Sequence, residues 1–278
     1  MGKLDGQIVI VTGASSGIGE AAARRLAAEG ATVVIAARRA DRLETLKREI
    51  ESAGGRALAV AGDVTSPRDR ERLVQETMSA FGRIDALVNN AGYGQRGPIE
   101  LVPVEAIRQN FETNLFSLIA LTQLVIPIMR AQQSGRIINI SSVAGRVARP
   151  LSSVYDATKH ALEAVSDGMR GELARFGIKV VVIEPGFIIT EFLGVANQNA
   201  RPILENAGPY TESFERLAGV IQRLRKMAGR PEDIANVILK ALTARSPRAR
   251  YAAPGHARLV LAVKRLLPSR VFDYVLSR

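Results

Sequence analysis

Ile8-Val9-Ile10-Val11-Thr12-Gly13-Ala14-Ser15-Ser16-Gly17-Ile18-Gly19 runs from a continuous β-branched stretch into three glycines, Gly13, Gly17 and Gly19. An unbroken apolar stretch of this length reads as a strand buried on both faces. The glycines let the chain turn sharply and bring backbone N–H groups close to a pyrophosphate at the start of the next helix. A glycine-rich turn by itself also suits a plain strand–helix connection. Here it follows the first strand and opens a helical pattern, which is the context phosphate binding requires. The spacing is G-x-x-x-G-x-G rather than G-x-G-x-x-G.

The same alternation continues along the chain. Apolar runs at Ala57–Ala61, Thr32–Ala37, Ile84–Val88, Arg136–Ile140 and Lys179–Ile183 predict further strands. Helical patterns at Gly17–Glu29, Asp41–Ala53, Pro67–Phe81, Asn114–Ala131, Ser153–Phe176 and Glu232–Ala244 separate them. Strands of this kind spaced by helices predict an α/β fold with a doubly wound parallel sheet. Residues 1–255 are expected to form one domain, with residues 187–218 an irregular substrate loop rich in Gly, Pro and Asn. A last short strand is expected at Arg248–Ala252, and residues 256–278 form a C-terminal helical extension interrupted at Pro268.

Composition narrows the chemistry. The chain has no cysteine, so thiolate zinc sites and iron–sulfur clusters are excluded; His160 and His256 alone as imidazoles argue against a multi-histidine metal centre and a histidine-based triad, and no metal site is expected. The apolar run Leu115–Met129 is broken by Ser117, Thr122, Gln123 and Pro127, which argues against a spanning helix. A cytoplasmic location is expected. Net charge is +11, with eight basic residues against one acid between Arg245 and Arg278. The extension also carries Leu259, Val263, Leu266, Leu267, Val271, Phe272, Val275 and Leu276 at helical spacing. Two readings stand side by side: peripheral contact with an anionic membrane, or packing on the substrate loop or a second subunit with the cations in water. No recognition module for nucleic acid accompanies these charges, so no nucleic-acid partner is expected.

Further signals fall in order: Asp63-Val64, Asn89-Asn90-Ala91-Gly92, Asn114, Ser141-Ser142, Tyr155-Asp156-Ala157-Thr158-Lys159, and Pro185-Gly186 followed by Thr190. Tyr155 and Lys159 stand four apart, so a helix places both on one face. With these motifs the chain resembles the short-chain dehydrogenase/reductase family, in the branch with T-G-x-x-x-G-I-G and Y-x-x-x-K, from about Gln7 to Ala244. The resemblance implies a Rossmann-type fold and an assembly of two or four copies built on the Asn114 and Tyr155 helices. It also implies that Tyr155 exchanges the proton, that Lys159 lowers its pKa and holds the nicotinamide ribose, and that Ser142, 13 positions earlier, hydrogen-bonds the substrate oxygen. Asn114 would support a helix irregularity and a water-mediated proton path.

By the same resemblance the cofactor would lie along Gly13, Ser15, Ser16, Gly17, Ile18 and Gly19, with Asp63 and Val64 at the adenine and Asn90, Ala91 and Gly92 lining it. Ile188 and Thr190, after Pro185 and Gly186, would meet the nicotinamide amide and the diphosphate. At the end of the second strand Ala37 stands where an acid would bind a ribose 2′-hydroxyl, and Arg38 and Arg39 follow. Arginine pairs with a 2′-phosphate, so NADP(H) is the expected cofactor. Phe187, Phe192, Leu193, Tyr210 and Phe214 predict a largely apolar pocket for a small-molecule carbonyl or alcohol, with Phe187 at the substrate. Hydride transfer between NADP(H) and such a centre is the expected activity. A non-catalytic dinucleotide sensor on the same fold is the alternative.

Overall fold

The computed structural model describes residues 2–268, 270–272 and 274. Seven parallel strands form one sheet in the order β3-β2-β1-β4-β5-β6-β7. They are β1 (Ile8–Thr12), β2 (Thr32–Ala37), β3 (Arg56–Ala61), β4 (Ala86–Asn89), β5 (Gly135–Ile140), β6 (Ile178–Pro185) and β7 (Arg250–Ala253). The helices are α1 (Gly17–Ala27), α2 (Ala40–Ser52), α3 (Pro67–Phe81), α4 (Val104–Phe111), α5 (Ser117–Ala131), α6 (Ser153–Leu173), α7 (Phe192–Leu204), α8 (Thr211–Arg225), α9 (Pro231–Thr243) and α10 (Gly255–Leu266). Strand order reverses between β1 and β4, and that switch point opens a crevice at the carboxyl ends of the strands.

Alternation along β1 shows why both faces need apolar residues. Val9 and Val11 join a core with Leu26 of α1 and Ile234 and Ile238 of α9. Ile8 and Ile10 point the other way, into a core with Leu121 and Val125 of α5 and Met169 of α6. The apolar run Leu115–Met129 therefore serves as a core element, with Leu115, Leu118, Leu121, Val125 and Met129 all buried.

Two expectations need correction. Residues 187–218 are not an irregular loop, because α7 and much of α8 lie there. Phe192, Ala196, Ala200 and Ile203 recur at helical spacing, and Ala200 and Ile203 pack with Val102, Leu151, Val154 and Phe214. That burial outweighs the low helix propensity of Gly194, Asn197, Asn199 and Pro202. The helix expected at Asn114–Ala131 is instead the second half of a longer run. It begins with α4, passes through a π-helical turn at Glu112–Phe116 and continues as α5. In the extension, Leu259 and Leu266 are 64% and 80% exposed while Phe272 is 4% exposed with Lys264 Nζ 4.5 Å from its ring centroid. The apolar positions thus divide between solvent and packing. Val275 and Leu276 lie outside the described residues.

Candidate active site

At the end of β1, Gly13 adopts φ +64°, and a Cβ there would stand 2.9 Å from Ala91 Cα. A Cβ at Gly19 would lie 2.4 Å from the Gly13 carbonyl oxygen. The turn is therefore packed to the backbone, and only glycine fits. Its partner across the switch point is Asn90, whose Nδ2 donates to the carbonyls of Thr12 at 3.0 Å and Gly13 at 3.2 Å. Thr12 completes the joint, since its Oγ1 accepts from the N–H groups of Asn90 and Ala91 at 3.0 and 3.1 Å. Sequence reasoning assigned Thr12 to the strand and gave it no part in the site.

Beyond the turn, Ser16 occupies the N-cap position of α1 without a side-chain cap bond, so the first-turn amides keep no competitor there. Arg39 lies across Ser15 and Ser16, donating to Ser15 Oγ at 3.0 Å and Ser16 Oγ at 2.9 Å. Its other arm meets Glu191 at 2.9 Å, and Arg42 meets the same carboxylate at 2.6 Å. Hydrogen bonds from Arg42 and Arg39 hold the Glu191 carboxyl down at about 2. Arg38 is exposed; burial raises the nearby Tyr93 phenol, with Asn110 and then the Arg38 charge pulling the other way. The crevice rim thus gathers Arg38, Arg39 and Arg42, and Glu191 is an acid that the sequence gave no signal for.

On the β3 side, the Gly62 N–H donates to the Ala37 carbonyl at 2.9 Å, which sets Asp63 and Val64 beside the end of β2. Asp63 Oδ1 accepts from the Thr65 N–H at 2.9 Å and Thr65 Oγ1 at 2.8 Å, so the carboxylate also shapes its own loop. Facing the turn, a Cβ at Gly17 would come within 3.0 Å of Thr190 Cγ2. Ile188, two residues before Thr190, is buried against the main core.

The acid–base group is built on α6. Tyr155 is buried, and the edge of its ring meets Phe192 of α7 at a centroid distance of 5.4 Å. Burial pushes the phenol up to about 12, while the Arg149 charge and a hydrogen bond with Ser142 pull it back in part. Ser142 also accepts from the Ala144 N–H at 3.1 Å and donates to the Pro185 carbonyl at 3.4 Å, which ties the serine to the end of β6. Ser141 is buried with Oγ unpartnered.

One helical turn along, Lys159 Nζ donates to the Ile140 carbonyl at 2.9 Å and stands 5.8 Å from the Tyr155 ring centroid. Burial pulls the ammonium down to about 8, against the Glu163 carboxylate one turn further on. The expectation that Lys159 lowers the tyrosine pKa thus meets a stronger effect here: desolvation acts on both groups and favours their neutral forms.

Asn114 sits in the π-turn, 1% exposed, with Oδ1 accepting from the Tyr93 N–H at 2.9 Å. Its Nδ2 donates to the Tyr93 carbonyl at 2.9 Å and to Thr158 Oγ1 at 3.2 Å. One side chain thereby joins the strand-end segment Asn90–Tyr93 to the helix bearing Tyr155 and Lys159. A Cβ at Gly92 would lie 2.9 Å from Asn114 Oδ1 and 3.9 Å from Lys159 Nζ, so this edge of the crevice is also open only to backbone. Arg149 pairs with Asp156 at 2.5 Å beside the tyrosine, a contact the sequence reading did not identify.

Residues scattered over the sequence thus meet in one crevice at the carboxyl edge of the sheet. A family profile described as short chain dehydrogenase matches residues 7–201. An NADPH-dependent 3-dehydrocapnine reductase of Ornithobacterium rhinotracheale is 34% identical over 272 residues, covering 96% of this chain and 94% of that protein. A solved short-chain dehydrogenase of Streptomyces avermitilis superposes with a TM-score of 0.77 at 34% identity, over 92% of this chain and 91% of its own. A metagenomic short-chain oxidoreductase solved with NADP gives 0.73 at 30% identity, over 90% and 98%. The profile match across the crevice-forming strands, with these full-length similarities, shows that the chain belongs to the short-chain dehydrogenase/reductase family of oxidoreductases.

Proposed function

We propose that this protein reduces a lipophilic ketone or aldehyde with NADPH, Tyr155 delivering the proton. The observation that carries this reading is the buried phenol: held up at about 12 with Ser142 as its hydrogen-bonding neighbour, Tyr155 is protonated at neutral pH and suited to donate. The crevice fits a dinucleotide, because a Cβ at Gly13 or Gly19 would strike backbone and because arginines rim the end of β2. Gly13, Ser15, Ser16, Gly17, Ile18 and Gly19 would hold its diphosphate, Arg38 and Arg39 its 2′-phosphate, and Asn90, Lys159 and Thr190 its nicotinamide end. When bound, NADPH supplies the hydride.

The chain's own residues do the rest. Ser142 Oγ and the Tyr155 hydroxyl are hydrogen-bonding neighbours, and together they orient a carbonyl oxygen and stabilise the charge that develops on it. Tyr155 passes its proton to that oxygen as the alcohol forms. The Lys159 ammonium, anchored on the Ile140 carbonyl, stabilises the phenolate left behind. Phe192, edge-on to Tyr155, supplies an apolar wall that excludes water and favours lipophilic substrates.

A panel of aliphatic and aromatic ketones tests this with each dinucleotide. Consumption of NADPH with matching alcohol formation is expected, and NADH should be a poor substitute. Arg38→Ala or Arg39→Ala should weaken NADPH by about tenfold or more, the worth of a charge-assisted phosphate contact, and leave NADH nearly unchanged. Equal weakening of both would remove the arginines from 2′-phosphate recognition. Tight NADPH binding with no turnover on any carbonyl would favour the sensor reading.

A further inference from the structure

We infer that His256, on the C-terminal helix α10, is a positioning residue that sets the Gly186–Ile189 segment at the substrate end of the crevice. The inference rests on the proposed reductase reading for its kinetic consequence and on geometry for the contact itself. The Phe187 N–H donates to His256 Nε2 at 2.9 Å across 69 residues of sequence. Nε2 is therefore the unprotonated ring nitrogen.

Three neighbouring backbone groups on this segment have partners further along the chain, in Gly229 and Ala253. Gly186 N–H donates to the Ala253 carbonyl at 2.8 Å, the Phe187 carbonyl accepts from Gly229 N–H at 2.9 Å, and Ile189 N–H donates to the Gly229 carbonyl at 3.1 Å. His256 supplies the one side-chain partner in that series. The fit is close: a Cβ at Gly186 would lie 2.4 Å from His256 Nε2 and 3.1 Å from Ala257 Cβ. Glycine at 186 thus makes the space in which the imidazole reaches Phe187. Ala257, next to the histidine, is fully buried, so the start of α10 is fixed in place and the imidazole is presented from a firm base.

Upstream, the Pro185 carbonyl accepts from Ser142, and downstream Thr190 and Glu191 lie against the glycine turn and Arg39. A shift at Phe187 therefore moves the wall between the proton donor and the cofactor rim. His256 holds that wall without touching the reacting atoms.

The test compares His256→Leu with His256→Gln, whose side-chain oxygen can accept from the same N–H. Amide hydrogen exchange at Phe187 reads the contact without catalysis, and KM and kcat for a ketone that the parent reduces read its consequence. For His256→Leu, Phe187 exchange and KM should each rise about tenfold, in line with the loss of one hydrogen bond to a half-buried backbone donor, with kcat within about twofold. His256→Gln should return both towards the parent. Unchanged exchange and KM in His256→Leu would overturn the inference, as would a glutamine variant no better than leucine. Should the leucine variant fail to fold, His256→Asn, too short to reach, replaces it: asparagine equal to glutamine would count against the role. Altered exchange in a protein that reduces no ketone would keep the contact and sink the reductase reading instead.

Discussion

Tyr155 and Lys159 share a helix face, and that much follows from their spacing alone. Their protonation does not, because it is decided by burial from segments distant in sequence. Tyr155 at about 12 stays protonated through the usual assay range, so the lysine at about 8 is the group that titrates within it. Lys159 carries its charge below that value and loses it above. The rate of ketone reduction should accordingly fall as pH rises through about 8. Glu163 raises the lysine pKa, so Glu163→Gln should move this descending limb to lower pH. A pH–rate profile checks both, and a limb that stays in place or moves to higher pH in the variant contradicts the account. Contacts such as His256 to Phe187 and Glu191 to Arg39 were not legible in the sequence, since a single polar residue paired with a distant backbone or side-chain group leaves no periodicity.

Elements with one strong period were read well. The strands Ile8–Thr12 and Thr32–Ala37 and the helix Pro67–Phe81 fall where apolar continuity and the proline start place them. The second half of the site was harder, because α7 carries Gly194 and Pro202 and its apolar face is narrow. The π-turn is harder still: a one-residue widening of a helix has no compositional mark, and only Asn114 hinted at it. Its bonds to Tyr93 and Thr158 argue that Asn114 joins two elements rather than one. Asn114→Ala leaves the half-buried Tyr93 N–H short of a partner, its carbonyl keeping Asn110 Nδ2, and should cost about 1–3 kcal/mol in urea unfolding. Ketone turnover should fall with it as the Tyr93 segment and the Tyr155 helix lose their common anchor. A variant as stable and active as the parent would show that the backbone alone maintains the joint.

At the scale of the whole molecule, the strand order places the β1–β4 switch point, the end of β2 and the start of α6 around one crevice. The alternation of strands and helices made that topology legible, since right-handed crossovers leave few alternatives. The C-terminal region was read as a last short strand at Arg248–Ala252 followed by a basic amphipathic extension. Charge and periodicity could not show that β7 completes the sheet beside β6, or that α10 returns a histidine to the segment after it. All these parts converge on one claim, that a buried neutral tyrosine is the proton donor for carbonyl reduction. Tyr155→Phe tests it most directly, with NADPH binding and ketone turnover followed on the same preparation. The account predicts NADPH affinity within about twofold of the parent, because no cofactor contact is assigned to the phenolic proton, and turnover reduced by at least about a hundredfold, the range of a lost general acid. Substantial turnover retained by Tyr155→Phe would contradict it.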